Sequence, residues 1–112
     1  MISQILTQEV SRMEADLCSA FADPTRILIL YALDEKPRNV GELANELQVS
    51  QRTTSRHLKI LRDRGLVTTI RQGTNIQYHL ADKRLIQALD ILRTLMRERI
   101  AYRANLMEKA DI

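Results

Sequence analysis

Apolar residues at Ile2, Leu6, Val10, Met13 and Leu17 recur at spacings of three and four, which predicts an amphipathic helix over about residues 2–20. Asp23-Pro24 then breaks the pattern. Aspartate suits the free N–H groups that open a helix, and proline suits its first position, where no donor is needed. From Thr25 to Leu33 the chain is nearly all apolar, so this second helix is expected to be the buried centre of the fold. Asp34 to Arg38, with Pro37 and several charges, is expected to be a loop. Asn39 and Glu42 have the spacing of a capping box, opening a short helix over Val40–Leu47. Gln48-Val49 forms a turn, Ser50 caps a further helix from Gln51 to about Arg64, and Gly65 stops it. Leu66–Ile70 and Ile76–Leu80 are alternating or β-branched runs, which predicts a hairpin with a five-residue polar tip, Arg71 to Asn75. Asp82 caps a long last helix to about Leu106, striped by Leu85, Leu89, Leu92, Met96 and Ile100.

The elements describe one mostly α domain with a small β-hairpin, an α+β winged helix-turn-helix over residues 1–112. Its helix-turn-helix lies at about 40–64 and its wing at about 66–80. The first and fifth helices, at about 2–20 and 82–106, carry more apolar stripe than a core of this size needs. They are expected to form a homodimer interface, with an elongated monomer as the alternative.

Charge changes the picture more by its placement than by its sum, a formal net of +3. The first 20 residues set Glu9, Glu14 and Asp16 against Arg12, whereas residues 50–75 set Arg52, Arg56, Lys59, Arg62, Arg64 and Arg71 against Asp63. A concentrated basic segment suits a polyanion, although a basic helix face taken alone is as often merely solvated.

Helical phase divides the helix from Gln51 to Arg64. Thr54, Leu58 and Leu61 fall on the inner face and Arg52, Arg56 and Lys59 on the outer one. Ser50, Gln51, Thr53 and Ser55 add hydroxyl and amide groups around the first turn. A helix that reads the major groove needs this division, because Arg can fork onto guanine and Gln or Thr can meet base edges. The expected contacts to double-stranded DNA are Ser50, Gln51, Thr53, Thr54, Ser55, Arg56 and His57. Arg52, Lys59 and the wing residues Arg71, Gln72, Thr74 and Asn75 would serve phosphates or a minor groove. Thr54 joins this set although its phase turns it inward, and for His57 a structural role and a DNA contact both stand open. A winged-helix protein–protein module is the competing reading, and the basic, hydroxyl-rich helix argues against it.

The chain has two histidines, His57 and His79, whose spacing makes no metal site, and no nucleophile with its base or paired catalytic carboxylates, so no enzyme and no cofactor are expected. Cys18, the single cysteine, is a candidate redox sensor or a plain packing residue. Without a signal peptide or a membrane-length apolar run, a cytoplasmic protein with no membrane partner is expected.

Several segments resemble the ArsR (arsenic-repressor-type) family of bacterial transcriptional repressors. They are Ala22-Asp23-Pro24-Thr25-Arg26, Val40-Gly41-Glu42-Leu43-Ala44, Ser50-Gln51 with Ser55-Arg56-His57-Leu58-Lys59-Ile60-Leu61, Gly65-Leu66-Val67, the Arg71–Asn75 tip and Tyr78-His79-Leu80. The resemblance runs over about residues 15–100 and implies a homodimer that binds a partly palindromic operator and releases it to an inducer. It also implies where sensing ligands would sit. Asn39 and Gly41 stand where soft-metal sensors of the family carry cysteines. Asp82 and Glu98 match two positions of a zinc site between last helices, but Arg84 and Leu95 replace its histidines. Two carboxylates without imidazoles make a poor zinc site, so no metal is expected and the inducer stays unknown.

Overall fold

The computed structural model describes residues 1–110 and divides the chain into two compact units, the first Met1–Ala81 and the second beginning at Asp82. In the first unit, helical backbone runs from Gln4 to Ser19, but not as one α-helix. α1 (Gln4–Glu9) passes into a π turn (Val10–Glu14) and then α2 (Ala15–Ser19). The expected single helix is therefore interrupted by a wider turn, which the spacing of apolar residues does not register. Ser3 caps α1, its hydroxyl accepting from the Leu6 N–H at 3.1 Å.

α3 (Pro24–Glu35) starts where expected, with Asp23 Oδ1 accepting from the N–H groups of Thr25 at 2.8 Å and Arg26 at 3.3 Å. Ile29, Leu30, Ala32 and Leu33 are buried, so α3 is the centre of this unit. Leu28 is the exception, exposed on the outer face. α4 (Val40–Leu47) opens with the full capping box: Glu42 N–H donates to Asn39 Oδ1 at 2.8 Å, and Asn39 N–H donates to Glu42 Oε1 at 3.1 Å. Its end is turned by Gln48, which takes the left-handed conformation at φ 56°. α5 (Gln51–Asp63) then begins at its Ser50 cap and ends at Arg64, before Gly65 at φ 75°. Positive φ costs glycine nothing, which is why the helix stops there.

β1 (Val67–Gln72) and β2 (Asn75–Leu80) pair antiparallel from Val67 opposite Leu80 to Gln72 opposite Asn75. The hairpin tip is thus two residues, Gly73-Thr74, not the five expected. Gly73 at φ 64° supplies the positive φ that a tight two-residue turn needs. The polarity of Arg71, Gln72 and Asn75 suggests a loop, yet polar residues pair readily at the solvated end of a ribbon. A second surprise lies on the other edge of β2. The Arg38 and Tyr78 backbones exchange N–H···O bonds of 3.2 and 2.8 Å, and the buried Arg38 guanidinium meets Glu35 at 2.8 Å and also Glu46. The expected loop is therefore a short third strand position, with a paired cation inside it.

α3 packs against α4, α5 and β2, and α5 also packs against α4 and β1. Ile29, Leu30, Leu43, Leu58, Leu61, Leu66 and Val67 are all but fully enclosed. Each such Leu or Ile contributes roughly 1.5–3 kcal/mol relative to leaving it in water.

The second unit is α6 (Arg84–Ala110), longer than the sequence expectation of about Leu106. Asp82 does cap its start, accepting from the Arg84 N–H at 2.8 Å. Ile86 and Leu89 are buried, while Ile91, Leu92, Leu95, Met96 and Ile100 are exposed. Among the described residues no helix is long and apolar enough to cross a membrane.

Candidate nucleic-acid interface

The sequence-selected residues gather on α5 and at the end of the hairpin, but not all of them face outward. Ser50 holds the first turn of α5: its hydroxyl accepts from the Thr53 N–H at 3.1 Å and donates to Thr53 Oγ1 at 2.9 Å. Gln51, Arg52, Ser55, Arg56 and Lys59 are exposed, and Thr53 is half-buried. Arg52, Arg56 and Lys59 stand at positions i, i+4 and i+7, which stacks them on one side of the helix. Leu58 and Leu61, both at 0% exposure, anchor the opposite side. The burial of two leucines thus fixes the rotation of α5 and holds three cations in water.

Thr54 and His57 need correction. Thr54 is at 0% exposure and its hydroxyl donates to the Ser50 carbonyl at 2.9 Å, so it belongs to the packing under the helix. A hydroxyl that donates one turn back has no proton left for a base, and its enclosed oxygen cannot be reached by one. His57 is 6% exposed, with Nδ1 3.3 Å from Arg26 Nη1 and Nε2 3.9 Å from Asp23 Oδ1. A guanidinium can only donate, so Nδ1 accepts and the ring proton of neutral His57 sits on Nε2, toward Asp23. Of the two roles open for His57, the structure favours the structural one. Desolvation pulls the Asp23 carboxyl upward in pKa, but hydrogen bonds from the Arg26 and Thr25 amides, with the positive charge of Arg26 nearby, outweigh it. The net result is a carboxyl held below its ordinary value.

On the hairpin, Arg71, Gln72, Thr74 and Asn75 are all exposed around Gly73. They form a polar, cationic end with Ile70 and Ile76 half open to water behind it. Arg26 was singled out in the sequence only within the Ala22–Arg26 resemblance. No periodic signal marks it, because its partners Ser19, Ala20 and His57 come from elsewhere in the chain.

The residues that would supply a sensing metal do not fit one. The Asp82 carboxylate is occupied by the Arg84 guanidinium at 2.7–3.1 Å, which with the Arg84 amide lowers its pKa to about 2. Among the described residues no group of three or more His, Cys, Asp or Glu side chains could hold a metal ion. Cys18 is exposed.

Comparison with known proteins places this geometry. The family described as bacterial regulatory protein, arsR family, matches residues 23–69, from the Asp23 cap into β1. The HTH-type transcriptional repressor SmtB of Mycobacterium tuberculosis is 42% identical over 78 residues, which are 70% of this chain and 58% of that protein. The crystal structure of NolR from Sinorhizobium fredii is 34% identical, with a TM-score of 0.74 over 85% of this chain and 94% of NolR. The chain belongs to the ArsR family of bacterial regulatory proteins. That family is one of transcriptional regulators, not of enzymes. The match spans well under two thirds of SmtB, so it covers only part of that repressor's length. The solution structure of Mb0332 from Mycobacterium bovis, a homodimeric winged helix-turn-helix DNA-binding domain, superposes with a TM-score of 0.76. It covers 90% of this ArsR-family chain and 93% of its own, and at 24% identity it speaks for the fold alone.

Proposed function

We propose that this ArsR-family chain is a homodimeric repressor that binds a partly palindromic operator through α5 and the wing. One observation carries the reading: Arg52, Arg56 and Lys59 stand in solvent on the side of α5 opposite the enclosed Leu58 and Leu61, beside the Ser50-capped first turn. The base-reading set is Gln51, Thr53, Ser55 and Arg56, with Ser50, Arg52 and Lys59 on phosphates. Arg71, Gln72, Thr74 and Asn75 reach the adjacent backbone or minor groove. Residues 1–112 act as one functional domain in this reading, working in the cytoplasm where its operator lies.

Dimerisation is supported by two apolar faces that the chain leaves in water. Ile2, Ile5, Leu6, Val10 and Met13 are exposed on the N-terminal segment, and Ile91, Leu92, Met96 and Ile100 on α6. Exposed apolar stretches of this size mark interaction surfaces. A two-fold pairing would present two α5 helices to successive major-groove faces about 34 Å apart. With Asn39 and Gly41 at the soft-metal positions, the releasing signal is better sought among thiol reagents, oxidants and small molecules than among metals.

The test is binding of the full chain to DNA from its own promoter, followed by fluorescence anisotropy. Arg56→Ala should weaken binding by about 1–3 kcal/mol and relax the base preference at one position in each half-site. Affinity should also fall steeply with salt, as phosphate contacts release counterions. Salt-independent binding, or an unaltered affinity in Arg56→Ala and Lys59→Ala alike, would remove α5 as the reading element.

A further inference from the structure

Arg26 touches three parts of the first unit at once. Its Nε donates to the Ala20 carbonyl at 2.7 Å and its Nη2 to the Ser19 carbonyl at 3.5 Å, both at the end of the N-terminal helical segment. Its Nη1 meets His57 Nδ1 at 3.3 Å, on the enclosed side of α5. Its backbone N–H is held by Asp23, which also lies 3.9 Å from His57 Nε2. We propose that Arg26 is a positioning residue that couples the N-terminal helical segment to α5, so that operator affinity depends on a contact that never reaches DNA. The proposal rests on the DNA-reading role given to α5 above and names how that role is regulated.

The last carbonyls of a helix lack partners within it; at Ala20 the Arg26 guanidinium fills that role, and at Ser19 it joins the Ala22 N–H. A displacement of the segment therefore moves the guanidinium or strips it of its acceptors. The guanidinium in turn holds a ring that is 6% exposed, and a buried acceptor deprived of its donor is costly, so α5 must follow or lose the bond. His57 lies one residue from both Arg56 and Leu58, which places the contact directly beneath the cationic stripe. A second tie joins the same two elements, Arg64 Nε to Asp16 Oδ2 at 3.2 Å, but Asp16 is 58% exposed. An ion pair with one partner in water is screened and weak, whereas the Arg26 path ends on a buried ring and carries the coupling. Ile2, Ile5, Leu6, Val10 and Met13 on the segment are the exposed face at which a second copy or a ligand would act, and Arg26 is where that action enters the reading unit.

The test uses the full chain and four variants: Arg26→Met, His57→Leu, the double variant, and His57→Gln. Operator affinity is measured beside urea unfolding. Arg26→Met and His57→Leu should each weaken binding about tenfold, and the double variant no further than either, because each removes the same contact. His57→Gln, whose amide oxygen can accept the Arg26 N–H, should recover most of the affinity. Asp16→Asn should stay within about twofold. Multiplicative losses in the double variant, or folded single variants that bind as well as the parent, would overturn the coupling. If the substitutions unfold the chain, ring 15N spectra of the parent decide the matter: Nδ1 must be an unprotonated acceptor, and a protonated Nδ1 refutes the contact. Should Arg56→Ala and Lys59→Ala also leave binding unaltered, the DNA-reading role has failed. Amide shifts then judge the coupling separately, since Arg26→Met must perturb Ser50–Thr53 as well as Ser19 and Ala20.

Discussion

Two stretches of the first unit carry the same amphipathic signature and meet opposite fates. α5 places Thr54, His57, Leu58 and Leu61 in the interior. The N-terminal segment, with apolar residues at equally regular intervals, buries none of the residues in α1, the π turn or α2. Periodicity therefore says that a face is apolar without saying what covers it. α5 finds α3, α4 and β1 within its own chain. Ile5, Val10 and Met13 stay exposed, and in the proposed reading a second copy covers this segment while α5 meets DNA. The π turn fits the same contrast, because a helix packed along its length has its register fixed by its neighbours.

The widest separation of the two stretches should appear on cutting a leucine in each. Leu58→Ala removes a side chain at 0% exposure and should cost about 2–5 kcal/mol in urea unfolding at any protein concentration. Leu6→Ala removes one that is 47% exposed, and in dilute monomer it should move stability by no more than about 0.5 kcal/mol. Its effect should grow with protein concentration if the segment is covered by a second chain, since association stabilises by mass action. Equal costs for the two substitutions would abolish the comparison.

Acid comes next. Asp23 holds the start of α3 with two amide bonds, and its carboxyl sits below the ordinary 3.8. A carboxylate whose pKa is lowered by folding adds stability that is fully present above its unfolded value. That stability is lost as pH falls through the folded one. The chain should therefore lose stability below about pH 4 in a way that Asp23→Asn flattens, read from urea midpoints between pH 5 and 2. A slope unaltered by the substitution would assign the acid sensitivity to other carboxylates.

What could be read beforehand divides along the line between local and distant interactions. The Asp23, Asn39–Glu42 and Ser50 caps and the Gly65 stop are set by residues within four positions of one another. Each was found where its spacing put it. Arg38 was hidden because its meaning depends on Tyr78, forty positions on, and on carboxylates at the ends of two helices. The inward turn of His57 was ambiguous for a related reason. Its phase puts it at the edge of the core face, and only Arg26 and Asp23, brought from α3, decide that it is enclosed. The exposed stripe of Arg52, Arg56 and Lys59 was legible because leucine phase alone orients a helix.

The smallest expected effect comes from two serines that make the same capping bond. Ser3 and Ser50 each cap a helix by accepting one amide N–H three residues on, both at 3.1 Å. Ser50 also donates to Thr53 Oγ1, but the main difference lies in the surroundings: α1 buries nothing, whereas α5 is anchored by Leu58 and Leu61. Losing a serine cap costs about 0.5–2 kcal/mol when the helix unfolds together with the rest of the domain. Ser50→Ala should therefore show a cost of that size in global unfolding. Ser3→Ala should leave the global midpoint in place and merely fray the first turn, visible as faster amide exchange at Leu6 and Thr7. A matching global loss from Ser3→Ala would mean that the N-terminal segment unfolds as one body with α5. The contrast between a face covered by its own chain and one awaiting another would then have to be abandoned.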